Sequence, residues 1–290
     1  MYLTFKPTHL QVLVRIFQFI CYKIAFMSKS TSYRSRVPDS NGIIHYTDEE
    51  NRVWHDLITT QYPMLPDHAC NEYVQALHLM DFPHDRIPQL HEVSEVLMDY
   101  TGWSVFPVTA LIPFTRFFEL LATRKFPAAT FIRRREDMEY LEEPDIFHEI
   151  FGHTPLLTDY RFAAFSEAYG KAGLAADQRD HAMLARLYWF TIEFGLINTA
   201  EGLRSYGAGI VSSPGELKYA LESEVPVRKA LDPVDALRTP YRIDIFQTVY
   251  FVIDHFDTLF ELAQQDLIAL ITEARRRGMH APTFPQKEIA

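Results

Sequence analysis

Cysteine is scarce. Only Cys21 and Cys70 occur in 290 residues. They are far apart and no CxxC or Cys/His cluster exists, so a thiolate zinc site is not expected. Two reduced thiols suit a cytoplasmic protein. Basic charge is also short. Against 38 Asp and Glu stand 28 Lys and Arg, a net charge of -10, which argues against nucleic acid as a partner. Long apolar runs are missing. The nearest to the roughly 18 residues that a membrane span needs is residues 10–27, LQVLVRIFQFICYKIAFM, and Gln11, Arg15, Gln18 and Lys23 interrupt it. Leu13, Phe17, Ile20 and Ile24 recur there at helical spacing, as in an interfacial or signal-like helix. No small-residue cleavage site follows it. No membrane partner is expected. Residues 1–41 read as an N-terminal extension without order, of which 1–26 lie upstream of a natural start at Met27.

What is present supports a packed core. Hydrophobic residues make up 48% and charged ones 23%, enough for one domain over residues 42–290 without disulfides. Thr47 and Glu50 form a capping box ahead of a helix with Val53, Trp54, Leu57 and Ile58 inward. Further helices are expected over residues 69–80, from Pro88 to a stop at Gly102, over 114–125, from Pro144 through His148, over 160–173, over 180–197, over 214–222 and over 256–277. Residues 103–113 read as loop with a short strand, 131–133 as extended, 205–213 as a Gly/Ser loop and 243–251 as β-prone. The fold class is therefore mainly α, one domain with a few short strands.

Glu193 lies in LARLYWFTIEFGLI, apolar on almost every helical face. A carboxylate there is costly unless a cation meets it. No Lys or Arg stands three or four residues away. A bond to a distant arginine and a metal ion explain it equally well. His148 and His153 lie in HEIFGH. The zinc-protease spacing H-E-x-x-H needs histidine at 152, where glycine stands. At about 100° per residue, two rings five apart point roughly 140° apart on one straight helix. A helix break at Gly152, with Pro155 after it, is expected to bring them together. The pair alone is better read as two unrelated histidines. The three residues together match the two-His, one-carboxylate face of non-haem Fe(II) oxygenases, and zinc could take the same ligands.

The segments PDIFHEIFGH, YWFTIEFGL and YGAGIVSSPGEL occur in that order. With YTDEENRVW, HACNEY, IPQLHEVSEVL and the TGW turn, they resemble the catalytic domain of the pterin-dependent aromatic amino acid hydroxylases, most of all the bacterial phenylalanine-hydroxylating branch. The resemblance runs from about Tyr46 to the last helix. It implies Fe(II) on His148, His153 and Glu193, a tetrahydropterin (tetrahydrobiopterin or a related reduced pterin), and conversion of L-phenylalanine and O2 to L-tyrosine, the first step of phenylalanine catabolism. It implies that Arg133 binds the substrate carboxylate, although Arg133, Arg134 and Arg135 read by themselves as a basic surface run. Trp189 and Phe194 would wall the substrate ring, Gly209 and Ser212 would form the amino-acid loop, and Glu216 would orient Arg133 or that loop. Core packing is an equal use for Trp189 and Phe194. Leu141 stands where mammalian members have a threonine on the substrate. Leu111, Ile112, Phe117, Ala185 and Tyr188 would surround the pterin, with Phe117 stacked on it. Glu149 would sit beside the pterin and act in catalysis with the iron ligands. Its plain alternative is a solvated helix glutamate. Ile243 lies near a position where tyrosine-hydroxylating relatives carry an aspartate, which favours phenylalanine. Neither the regulatory domain nor the tetramerisation helix of animal members is visible, so a monomer is expected. Two other readings stand beside this one: a zinc hydrolase on the same ligands, and an inactive relative that acts by binding.

Overall fold

The structure is a computed structural model that describes residues 33–109, 112–138, 141 and 143–285. The chain divides into the units Met1–Arg34 and Ser35–Ala290, and the fold below is that of the second. The expected extension over residues 1–32 lies outside the described residues. The second unit starts ahead of the expected boundary at residue 42. Ser35 Oγ donates to Val108 O at 2.9 Å and Arg36 pairs with Glu50 at 2.7 Å.

The capping box forms as expected. Thr47 and Glu50 exchange bonds and start the helix Asp48–Gln61, which buries Val53, Trp54, Leu57 and Ile58. The helices Leu65–His68 and Asn71–Met80 follow. Leu90–Thr101 begins later than Pro88. Gln89 and Glu92 make a second capping box there, and Gly102 ends the helix at φ 71°, a left-handed cap that glycine adopts without strain. Strand β1, Ser104–Val108, pairs in parallel with β2, Lys125–Ala129, on either side of the helix Phe114–Ala122. The extended stretch therefore lies ahead of the expected 131–133.

The helix expected through His148 is a π-helix, Phe147–His153. Tyr160–Ala175 is a long helix with Asp159 as its cap. The helix expected over 180–197 divides into three pieces. His181–Tyr188 is α-helical, Trp189–Glu193 is π-helical and Gly195–Thr199 is strand β3. Apolar residues on every side made 180–197 look like one buried helix, but the run continues into a buried strand that periodicity does not separate. Strand β4, Gly202–Ser205, returns antiparallel to β3. The expected loop 205–213 contains the short helix Ala208–Val211. Pro214–Glu222 forms as expected, capped by Ser213. Strand β5, Val227–Ala230, the helix Pro233–Arg238 and strand β6, Val249–Ile253, complete a sheet in the order β4-β3-β6-β5. The last expected helix is two, Asp257–Ala263 and Leu267–Arg277, because Asp266 accepts from Ile268 and Ala269 and restarts the turn.

Helices thus surround two small sheets, in keeping with the mainly α class. Among the described residues no helix is long and apolar enough to cross a membrane. The core reaches the first π-helix directly. Phe147 and Phe151 stack at 4.7 Å, Trp54 meets Phe147 edge-on at 5.4 Å, and the Tyr73 hydroxyl donates to Phe151 O. Burying each such ring contributes about 2–3 kcal/mol. These aromatics hold one side of the widened turn and leave its histidines to the other.

Candidate metal centre and substrate pocket

Two π-helices build the centre. A π-turn bonds residue i to i+5, so residues five apart lie one above the other. His148 and His153 have that separation and share one face without any break between them. This corrects the expected break at Gly152. The second π-turn does the same for the carboxylate: Phe194 N–H donates to Trp189 O at 2.8 Å, and Glu193 is carried toward the histidines.

His148 Nε2 and His153 Nε2 face each other at 3.1 Å. Glu193 approaches with Oε2 at 3.5 Å from His148 Nε2 and Oε1 at 3.2 Å from His153 Nε2. Ser212 fixes the tautomer of His148. Its Oγ donates its one proton to Ala208 O at 2.7 Å and lies 3.0 Å from His148 Nδ1. The hydroxyl therefore accepts there, Nδ1 carries the proton, and Nε2 presents a lone pair. Two ring nitrogens at 3.1 Å can share only one proton, whereas one divalent cation satisfies both nitrogens and the carboxylate together. The donor set fits a metal ion of the iron or zinc type.

Two carboxylates lie near these rings. His148, Glu149 and His153 present donor atoms within 4.8 Å of one another, which makes Glu149 a rival to Glu193. Electrostatics separate them. Burial pushes the Glu193 carboxyl up, but the charge and hydrogen bond of His153, helped by His148, more than offset it and hold it below the usual range. Burial and the Glu193 charge push Glu149 well above its usual value, against a backbone bond from Ala129. The charged form is thus favoured at Glu193 and disfavoured at Glu149. Burial lowers His148 to about 4, against the pull of Glu193, so its ring is neutral and able to ligate at neutral pH.

Arg133 is buried, unlike the exposed Arg134 and Arg135 beside it. Asp145 grips it in a fork, Nε to Oδ2 at 2.8 Å and Nη2 to Oδ1 at 2.9 Å. Asp145 Oδ1 also accepts from His148 N at 3.1 Å, which ties the arginine to the start of the first π-turn. Burial raises the Asp145 carboxyl, but the charge and bonds of Arg133 win and lower it. Asp145 was missed in the sequence, because Glu142, Glu143 and Pro144 directly before it make it look like part of a solvated turn rather than a buried anion. Glu216, expected to orient Arg133 or the loop of Gly209 and Ser212, accepts from Gln247 N at 3.1 Å and from the Tyr250 hydroxyl, while its own N–H donates to Ser213 Oγ beside that loop at 3.3 Å.

Trp189 stacks on Tyr241 at 4.3 Å and packs on Phe194 at 4.5 Å. Gly209 lets Phe194 approach, since a Cβ there would stand 2.7 Å from the ring, and Gly207 lets the backbone of Glu193 approach, at 2.4 Å. On the other side Phe117 meets Tyr188 edge-on at 5.3 Å, and Tyr188 lies over His153 at 6.3 Å. Ile112, Leu141, Ala185 and Ile243 are each partly exposed. Leu111 lies outside the described residues.

Comparison with known proteins agrees with this geometry. The family model described as biopterin-dependent aromatic amino acid hydroxylase matches residues 19–274. A phenylalanine-4-hydroxylase of Pseudomonas aeruginosa is 55% identical over 90% of this chain and 100% of its own. The apo structure of the cold-active phenylalanine hydroxylase of Colwellia psychrerythraea 34H superposes with a TM-score of 0.86 at 51% identity, over 89% of this chain and 100% of that one. The phenylalanine hydroxylase of Chromobacterium violaceum with bound oxidised Fe(III) has a TM-score of 0.79 at 42% identity, over 84% of this chain and 91% of that one.

Proposed function

The chain belongs to the biopterin-dependent aromatic amino acid hydroxylase family, and on that premise we propose that it is a phenylalanine 4-monooxygenase that makes L-tyrosine from L-phenylalanine, O2 and a tetrahydropterin. The observation that carries the reading is the convergence of His148 Nε2, His153 Nε2 and Glu193 within 3.5 Å of one another. These three would hold Fe(II). When bound, iron and reduced pterin supply the electrons and the dioxygen chemistry.

The chain's own residues bind, orient and shield. Arg133, held by Asp145, would take the substrate carboxylate, as a guanidinium fork suits. Trp189, Phe194 and Leu141 would line the substrate ring. Gly209 would admit close backbone approach, and Ser212 would hold the His148 ring. Phe117, Tyr188, Ile112, Leu111 and Ala185 would contact the pterin. Glu149, whose carboxyl burial pushes well above its usual value, would hydrogen-bond on the pterin side of the centre. Glu216 would act one step back, by fixing the 241–247 segment at the pocket. An apolar Ile243 favours phenylalanine over tyrosine as substrate.

We assign the enzyme to the cytoplasm as a monomer. The buried, free Cys70 supports the location, and solution mass tests the monomer. Product analysis with phenylalanine, tyrosine and tryptophan in parallel, using Fe(II)-loaded protein, tetrahydropterin and O2, tests the activity. Tyrosine from phenylalanine is expected. No tyrosine, or turnover without O2, would overturn the assignment.

A further inference from the structure

We propose that Gln247 is a positioning residue that sets the in-plane orientation of Trp189, and with it the shape of the aromatic wall of the substrate pocket. The inference rests on the pocket assigned above. Trp189 packs on Tyr241 at an interplanar angle of 16° and on Phe194 at 35°. Ring stacking fixes the plane of an indole, but it changes little when the ring turns within that plane. The directional contact is a single hydrogen bond, Trp189 Nε1–H to Gln247 Oε1 at 2.9 Å.

The amide of Gln247 can present only that oxygen. Its Nε2 donates to Arg242 O at 2.9 Å and to Ile245 O at 3.1 Å, which uses both amide protons. A flipped amide would set its oxygen against two carbonyls and its NH2 against the indole N–H, so all three bonds would be lost. Gln247 is only 4% exposed, so water does not replace them. Its backbone N–H donates to Glu216 Oε1, on which the Tyr250 hydroxyl also converges. One residue therefore joins three parts of the pocket: the second π-turn through Trp189, the 241–247 segment with Tyr241 and Ile243, and the helix Pro214–Glu222 through Glu216.

A wall residue touches the substrate ring alike before and during the reaction, so loosening it weakens binding more than it slows chemistry. Gln247→Leu should raise KM for phenylalanine about tenfold, the value of one lost buried hydrogen bond, and change kcat by less than about threefold. The product ratio from a phenylalanine and tryptophan mixture should shift toward hydroxytryptophan. The effect acts through Trp189, so Trp189→Phe with Gln247→Leu should have a KM no higher than Trp189→Phe alone. The same four proteins give the emission of Trp189 by subtraction, once with Gln247 in place and once with the Gln247→Leu change, and that emission should differ between the two. Unchanged KM and emission, additive KM effects in the double variant, or an equal loss of kcat and kcat/KM with a lowered Tm would each overturn the proposal. If Gln247→Leu does not fold, Gln247→Met carries the same test. If the parent makes no tyrosine, the functional reading fails, and the Trp189 emission still decides the role of Gln247.

Discussion

Ser212 shows how much one hydroxyl decides. It accepts from His148 Nδ1 and leaves Nε2 as the ligating atom. Ser212→Ala should lower iron affinity by about 10–100-fold, read by competition with a chelator, while Ser212→Thr keeps most of it. Asp145 acts in the same way on Arg133. Asp145→Ala leaves a buried guanidinium without its carboxylate and should cost about 3–5 kcal/mol of stability in urea unfolding. Glu216 predicts a pH effect. Burial raises its folded value to about 7 from the ordinary 4.5. Between those values the folded state binds the proton that the unfolded state has released, so this group lowers stability as pH rises from about 4.5 to 7, by roughly 3 kcal/mol. Glu216→Gln should remove that slope. Parallel unfolding curves for parent and variant across the window would refute it.

At the scale of elements, the two π-turns do the work that the sequence assigned to a helix break. H-E-x-x-x-H looks wrong for a metal only on an α-helix. In a π-turn, i and i+5 align. Nothing in HEIFGH announces that turn, because it depends on what lies behind it: Trp54, Tyr73 and Phe82 around Phe147 and Phe151, and the helix Ala208–Val211 against Gly152. A Cβ at Gly152 would stand 2.9 Å from Ala208 O, a backbone atom that cannot turn aside. Gly152→Ala should cost about 1–3 kcal/mol and release iron, since it moves His153 and the Ser212 helix apart. Normal iron content in a folded Gly152→Ala protein would show that the contact is not needed.

For the whole molecule, metal and fold are linked by mass action. Iron at a hundredfold excess over its Kd adds about 2.7 kcal/mol. Stripping it with a chelator should then lower Tm by roughly 5–10 °C, checked by thermal melting with and without re-added Fe(II). Ser35 and Arg36 are bonded into the described unit. A chain started at Met27 should therefore keep both the melting temperature and the activity of the full chain; a large loss of either would give residues 1–26 a role that the proposed extension does not have.

Much was legible in the sequence because it is local chemistry. The Thr47–Glu50 cap, the Gly102 stop and the Pro214 start depend on neighbours in the chain, and the structure has them. Glu193 stood out because an anion in an apolar run needs a cation. The dense motifs around His148, His153 and Glu193 were enough to identify the family. What tertiary structure alone decided is how residues far apart in sequence meet. The widened turns are held by distant rings. Asp145, not Glu216, grips Arg133, and Gln247 holds Trp189 across 58 positions. The iron face itself belongs to both levels. Its three donors are written in the sequence, but their convergence comes from two π-turns that the buried aromatics behind them hold open.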